Sequence, residues 1–172
     1  LGDYDNDGDL DIVVAHGGSN GTNPISYTYF KNNEMKFEKA TQEVGIKTPA
    51  RGRAPRSIDI DNDGDLDLIF FNAKTPNYDG PQTIFLNNKG NGTFEEVGVA
   101  DIESRNASKA LIFDFDRDGK DDILMYYPDT ITLWKNNGEF TFTNLTDTWL
   151  PESTAQLNNI NAATHLDVNN DG

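Results

Sequence analysis

One aspartate-rich string occurs three times in this chain and begins a fourth time. Residues 3–11 read DYDNDGDLD, residues 59–67 read DIDNDGDLD, and residues 114–122 read DFDRDGKDD. Residues 167–172 read DVNNDG. The first aspartates fall at Asp3, Asp59, Asp114 and Asp167, at spacings of 56, 55 and 53 residues. A period of that size means that one supersecondary unit recurs, as in a propeller, a solenoid or an array.

The remainder of the unit repeats as well. Each full string runs straight into IVVAH, LIFFN or ILMYY, short apolar runs that read as buried strands. Residues 27–41 (YTYFKNNEMKFEKAT), 83–97 (TIFLNNKGNGTFEEV) and 131–145 (ITLWKNNGEFTFTNL) then align with one another. Each reads as an alternating strand, an Asn-Asn turn and a second alternating strand, a hairpin pattern. Phe37, Phe94 and Phe142 hold matching positions. A further strand leads into each loop at 55–61, 108–116 and 160–168, while 17–26, 74–82 and 98–107 read as surface loops.

The expected fold is therefore all-β. It consists of propeller blades of four antiparallel strands with metal-binding loops, here about three blades of a larger propeller. The expected repeats are about 1–54, 55–107 and 108–159, with the start of a fourth at 160–172. The chain begins and ends inside the motif, so the remaining blades are expected from a longer parent chain. An open stacked array is the alternative.

The loop has the chemistry of a calcium site. Calcium takes six to eight oxygen ligands, and alternate carboxylates around a glycine turn supply them. In the first loop Asp3, Asp5 and Asp7 offer side chains, Asp9 a backbone carbonyl and Asp11 the closing carboxylate. Asp59, Asp61, Asp63, Asp65 and Asp67 take the same roles in the second. Asp114, Asp116, Asp118, Lys120 and Asp122 do so in the third, where a lysine is tolerated because only its carbonyl would bind. The fourth offers Asp167, Asn169 and Asp171. Zinc and copper favour His and Cys, and the chain has no cysteine and two histidines, His16 and His165. An EF-hand closes with Glu at position 12, where this chain has Val14, Phe70 and Met125.

The formal net charge is −15, and the three full loops hold 15 of the 29 acidic residues. Such a surface repels nucleic acid, which needs a basic face. No run of 18 apolar residues is present, so this segment is not expected to insert into a membrane.

The D-x-D-x-D-G-x-x-D string followed by an N-N-G-x-F hairpin resembles the FG-GAP/VCBS repeat family. The runs GDYDNDGDLDIVVA and FLNNKGNGTFEEVGVA are similar to its acidic-protein branch, which includes cartilage acidic protein and its bacterial relatives. The resemblance implies the calcium-binding propeller of integrin α subunits, with calcium ligands at the loop positions named above. It also implies a secreted or cell-surface protein, and a protein or glycan partner at the cell surface or matrix is expected; in integrins the ligand-binding surface lies on the propeller face away from these loops. Asn169 departs from the aspartate of the full copies.

Two other functions are open. A carbohydrate-binding propeller would use aromatic side chains, and Tyr27, Tyr29, Tyr78, Tyr126, Tyr127, Trp134 and Trp149 are the candidates. Trp149 is the one expected to be exposed. A propeller-scaffold polysaccharide-degrading enzyme would need a positioned acid and base. The prominent carboxylates are already assigned to metal, so no catalytic residue and no enzyme activity is expected. RGRAPR (51–56) is a basic patch, expected to pair with neighbouring aspartates or to bind an anionic glycan. Asn20, Asn91, Asn106 and Asn144 head N-x-S/T sequons and are glycosylation candidates.

Overall fold

The structure is a computed structural model. It describes residues 1–17, 27–72, 80, 83–102, 109–127, 130–150, 160 and 164. The strand expected at 160–168 and the fourth aspartate string lie outside the described residues.

Eleven strands and one short helix form three antiparallel sheets among those residues. The first sheet orders β1 (Ile12–Val14), β2 (Thr28–Asn33) and β3 (Lys36–Lys39). The second orders β4 (Gly52–Ile58), β5 (Asp67–Asn72), β6 (Thr83–Asn88) and β7 (Phe94–Val97). The third orders β8 (Lys109–Phe113), β9 (Asp122–Tyr126), β10 (Ile131–Gly138) and β11 (Thr141–Asn144). A four-residue helix, α1 (Thr146–Trp149), follows. Each sheet is an up-and-down meander, and the second and third are complete four-stranded propeller-type blades.

The sheets stack face to face, and the strand period shows how. All six residues of β5 are buried. Leu68 and Phe70 join Tyr4, Tyr27, Tyr29, Ile84, Leu86 and Phe94 in a core between the first and second sheets. Ile69 and Phe71 join Phe85, Ile123, Met125, Trp134 and Phe142 in a core between the second and third. Successive side chains of a strand point to opposite faces, so a strand buried on both sides reads as an unbroken apolar run. Each fully buried Phe contributes roughly 1.5–3 kcal/mol. Tyr27 stacks on Phe70 with ring centroids 3.6 Å apart, and its hydroxyl donates to the Phe71 carbonyl at 2.9 Å.

The inner strands are joined blade to blade. Arg56 of β4 donates from Nε to the Ala110 carbonyl of β8 at 2.8 Å. Pro55 sits at the edge of its sheet, where a missing N–H leaves no ladder bond unmade.

Two expectations are corrected, on the Asn-Asn pair and on the basic patch. The Asn-Asn pair is not a turn: Asn32, Asn88 and Asn136 lie in β2, β6 and β10 and are buried. The chain reverses further on, through Glu34 and Met35 (φ 52° and 66°) and through Glu139 and Phe140 (φ 53° and 57°). Positive φ at both central positions matches the twist of a tight hairpin. In the basic patch, Arg51 and Arg56 donate to backbone carbonyls, Arg51 to that of Gly17, and no ion pair of the patch with an aspartate is present among the described residues. The aromatic candidates Tyr27, Tyr29, Tyr126, Tyr127 and Trp134 are core residues, whereas Trp149 is 53% exposed, its ring edge-on to Phe115. Finally, the three matching phenylalanines are not equivalent in burial. Phe94 packs against the first sheet and Phe142 against the second, but Phe37 is 49% exposed. Phe94 and Phe142 each pack on the sheet that precedes their own.

Candidate metal centre

Each aspartate loop folds back on its own first carboxylate. Asp3 accepts the N–H groups of Asp7 and Gly8 at 3.2 and 2.9 Å. Asp59 accepts those of Asp63 and Gly64 at 3.2 and 3.0 Å, and Asp114 those of Asp118 and Gly119 at 3.2 and 2.9 Å. The third carboxylate then accepts an N–H two residues on: Asp9 to Asp7, Asp65 to Asp63, Lys120 to Asp118. Two residues per loop carry the reversal. Gly8, Gly64 and Gly119 have φ of 90°, 95° and 88°, where a Cβ is strained. Asn6, Asn62 and Arg117 have φ of 59°, 63° and 62°. Asparagine visits that region readily, a function of Asn6 and Asn62 that the sequence reading missed.

The closing aspartate clamps three pieces of backbone together. Asp67 is 1% exposed and accepts the Ile60 N–H at 2.9 Å and the Asn88 N–H at 2.7 Å. Asp122 does the same for Phe115 (3.2 Å) and Asn136 (2.7 Å), and Asp11 for Tyr4 (3.4 Å) and Asn32 (2.8 Å). Asp11 also accepts the Tyr29 hydroxyl at 2.5 Å. The buried asparagines complete the clamp. Their side-chain amides donate to the carbonyls of Leu10, Leu66 and Asp121, each just before the closing aspartate. Thus the closing carboxylate ties the start of the loop to β2, β6 or β10. The asparagines had been legible only as turn formers.

Carboxylate oxygens converge as a metal requires. One oxygen from each of Asp3, Asp5 and Asp7 lies within 4.8 Å of the others, as do those of Asp59, Asp61 and Asp67, and of Asp114, Asp116 and Asp122. Asp11, Asp63 and Asp118 stand outside these groupings, and Asp167, Asn169 and Asp171 lie outside the described residues. Calcium fits the residues present. Oδ1 of Asp5 and Oδ1 of Asp61 are buried and accept no hydrogen bond. A buried acceptor left unpaired is costly, and both belong to the second aspartate of their loops. A hard cation with oxygen ligands would satisfy them. The remaining lone pairs of Asp67 and Asp122 leave room for the same role.

The electrostatics agree. Burial raises the Asp67 carboxyl from an ordinary 3.8 to about 7, against the opposing effect of its two backbone bonds. Burial also pushes Asp61 up, with Asp63 adding to it, and pushes up Asp122. Asp121 rises by burial and by the charges of Asp114 and Asp59, the latter from the neighbouring loop. Asp118 goes the other way, to about 2, because the Lys135 ammonium holds it.

The loops also touch one another. Asn6 donates to Asp65 at 2.6 Å, and Asn88 donates to the Tyr4 carbonyl at 2.7 Å. Elsewhere, His16 bonds the Thr28 hydroxyl at 2.6 Å, as a structural histidine does. Among the sequons, Asn91 and Asn144 are exposed, each folded back on a nearby N–H, of Thr93 and Thr146. Asn20, Asn106, Tyr78 and His165 lie outside the described residues.

No curated protein matches the chain. A solved structure concerned with specific recognition of non-reducing terminal N-acetylglucosamine by an Agrocybe aegerita lectin is similar at 16% identity, with a TM-score of 0.45. The similarity covers 78% of this chain and 36% of that one, so the chain spans about a third of the lectin's length. The family model for the FG-GAP-like repeat matches residues 3–70 and 114–172, well over half of the sequence. With its three aspartate loops, each feeding a strand of an antiparallel sheet, the chain belongs to the FG-GAP-like repeat family.

Proposed function

We propose that the chain is part of a calcium-stabilised β-propeller that serves outside the cell as a binding module for protein or glycan partners. The observation that carries the calcium reading is the buried, unpartnered Oδ1 of Asp61, on a carboxylate that converges with those of Asp59 and Asp67. Calcium there is structural. It neutralises carboxylates that the fold has already gathered and holds the turn into β5. Asp59, Asp61 and Asp67 would hold it in the second loop, Asp3, Asp5 and Asp7 in the first, and Asp114, Asp116 and Asp122 in the third.

Calcium dependence suits the extracellular setting. Extracellular modules bind calcium at roughly 10⁻⁴–10⁻³ M, a range filled in calcium-rich fluid and empty at resting cytosolic levels. The repeat family supports a binding role. The blades of this reading run from about 1–54, 55–107 and 108–159, with a fourth beginning at 160. No helix of the described residues is long and apolar enough to cross a membrane.

A glycan array probed with the parent protein in millimolar calcium tests the partner class. Retention of a defined glycan, lost in chelator, would establish the lectin reading. A blank array with calcium-dependent capture of a purified matrix or surface protein would establish the protein-binding one. Neither, in a protein shown to be folded, would contradict the module reading.

A further inference from the structure

We propose that Lys31 and Lys135 are built-in counter-ions that neutralise the first and third loops from within, so that the second loop, which has Asn87 in their place, takes calcium first. The proposal rests on the calcium reading above and concerns how the three loops differ.

The register fixes the equivalence. The N–H groups of Asn32, Asn88 and Asn136 donate to the closing aspartates of the three loops. Lys31, Asn87 and Lys135 each come one residue earlier, so they occupy one structural position. All three reach the same acceptor, Oδ2 of the second loop aspartate. Lys31 bonds Asp5, Asn87 bonds Asp61 at 2.8 Å, and Lys135 bonds Asp116. Two of these donors are cations and one is neutral.

The consequences are graded. The Lys31 ammonium also lies 3.9 Å from Asp7. Lys135 reaches Asp118 at 2.6 Å, and Lys120 reaches the same oxygen at 3.3 Å. In the third loop Oδ1 of Asp116 is also satisfied, by the Asp118 N–H at 3.3 Å. That loop is therefore compensated at each oxygen of its second aspartate. The first loop keeps one unpartnered oxygen on Asp5, whose side chain is 9% exposed. The second keeps one on Asp61 and has only an uncharged amide on the other. Calcium entering the first or third loop must compete with an ammonium for the charge of the second aspartate. In the second it competes with nothing charged there, and ligand charge tunes calcium affinity.

Calorimetric titration of calcium into the full chain tests this, using the wild type, Asn87→Lys, and the double variant Lys31→Asn with Lys135→Asn. The wild type should show one tighter site and weaker ones. Asn87→Lys should weaken the tighter site by roughly tenfold or more, and the double variant should tighten the weaker sites by a similar factor. The two lysines are partly exposed, so the double variant tests the idea even if Asn87→Lys does not fold. Wild-type calcium affinities throughout the double variant would overturn the counter-ion role while leaving the calcium reading intact. Absence of calcium binding in every protein, the double variant included, would overturn both.

Discussion

Replacing Asp67 by alanine is expected to destabilise the calcium-loaded protein by about 3–5 kcal/mol, enough to unfold much of it at ambient temperature. Asp67 is 1% exposed, in the middle of the described molecule. Its two oxygens hold the N–H of Ile60, at the start of the loop, and of Asn88, at the end of β6. Alanine leaves both donors buried without acceptors, each costing roughly 1–3 kcal/mol. It also removes a ligand of the second loop. Urea midpoints report the loss directly. Asp63→Ala provides the contrast: Asp63 accepts one exposed N–H, from Asp65, so its cost should be smaller by several-fold. Equal costs would mean that the closing aspartate is no clamp.

Without calcium, stability should fall as pH rises from about 4 to 7, opposite to the usual behaviour of carboxylates. The sign follows from Asp67. Its folded pKa, about 7, lies above the ordinary 3.8. The stability this confers is complete below about pH 4, where both states are protonated, and is lost as pH climbs through 7. One residue shifted that far contributes on the order of 4 kcal/mol over the window. Burial moves Asp61, Asp121 and Asp122 in the same direction. Calcium should reverse the slope, since it binds the ionised form and its affinity grows as ligands lose protons. Urea midpoints at pH 5 and pH 7.5, in chelator and in calcium, give the four values needed. A rise with pH in chelator would contradict the burial of an uncompensated charge at Asp67.

These predictions depend on residues the sequence showed unequally. The loops, the strands after them and the hairpins were legible because their signals are local: a fixed aspartate spacing, a glycine at the turn, a period of two. β1 (Ile12–Val14), expected to be buried, is half-buried. The all-β class followed, and so did the cluster Asp3, Asp5 and Asp7. The division of labour within a loop was not legible. Asp63 and Asp67 look alike as letters, yet Asp63 bonds its own loop while Asp67 reaches across to β6. Asn88 looked like a turn residue because asparagine favours turns. Its burial depends on a neighbouring sheet that no local pattern describes. Lys31 and Lys135 read as ordinary strand lysines, because their aspartate partners lie 26 and 19 residues away. Phe37 matched Phe94 in register but not in burial, since the burial of Phe94 comes from packing on another sheet.

Thermal unfolding of the full chain in calcium, in magnesium and in excess chelator tests the central claim most directly. Each site saturated about 100-fold above its dissociation constant adds ~2.7 kcal/mol, so calcium should raise the midpoint by many degrees. Magnesium, which demands a tighter octahedral shell, should do much less, and Asp61→Ala should remove a large part of the calcium effect. Identical midpoints in calcium and chelator would show that the aspartate loops are turns alone, and the calcium-stabilised module would fall with them.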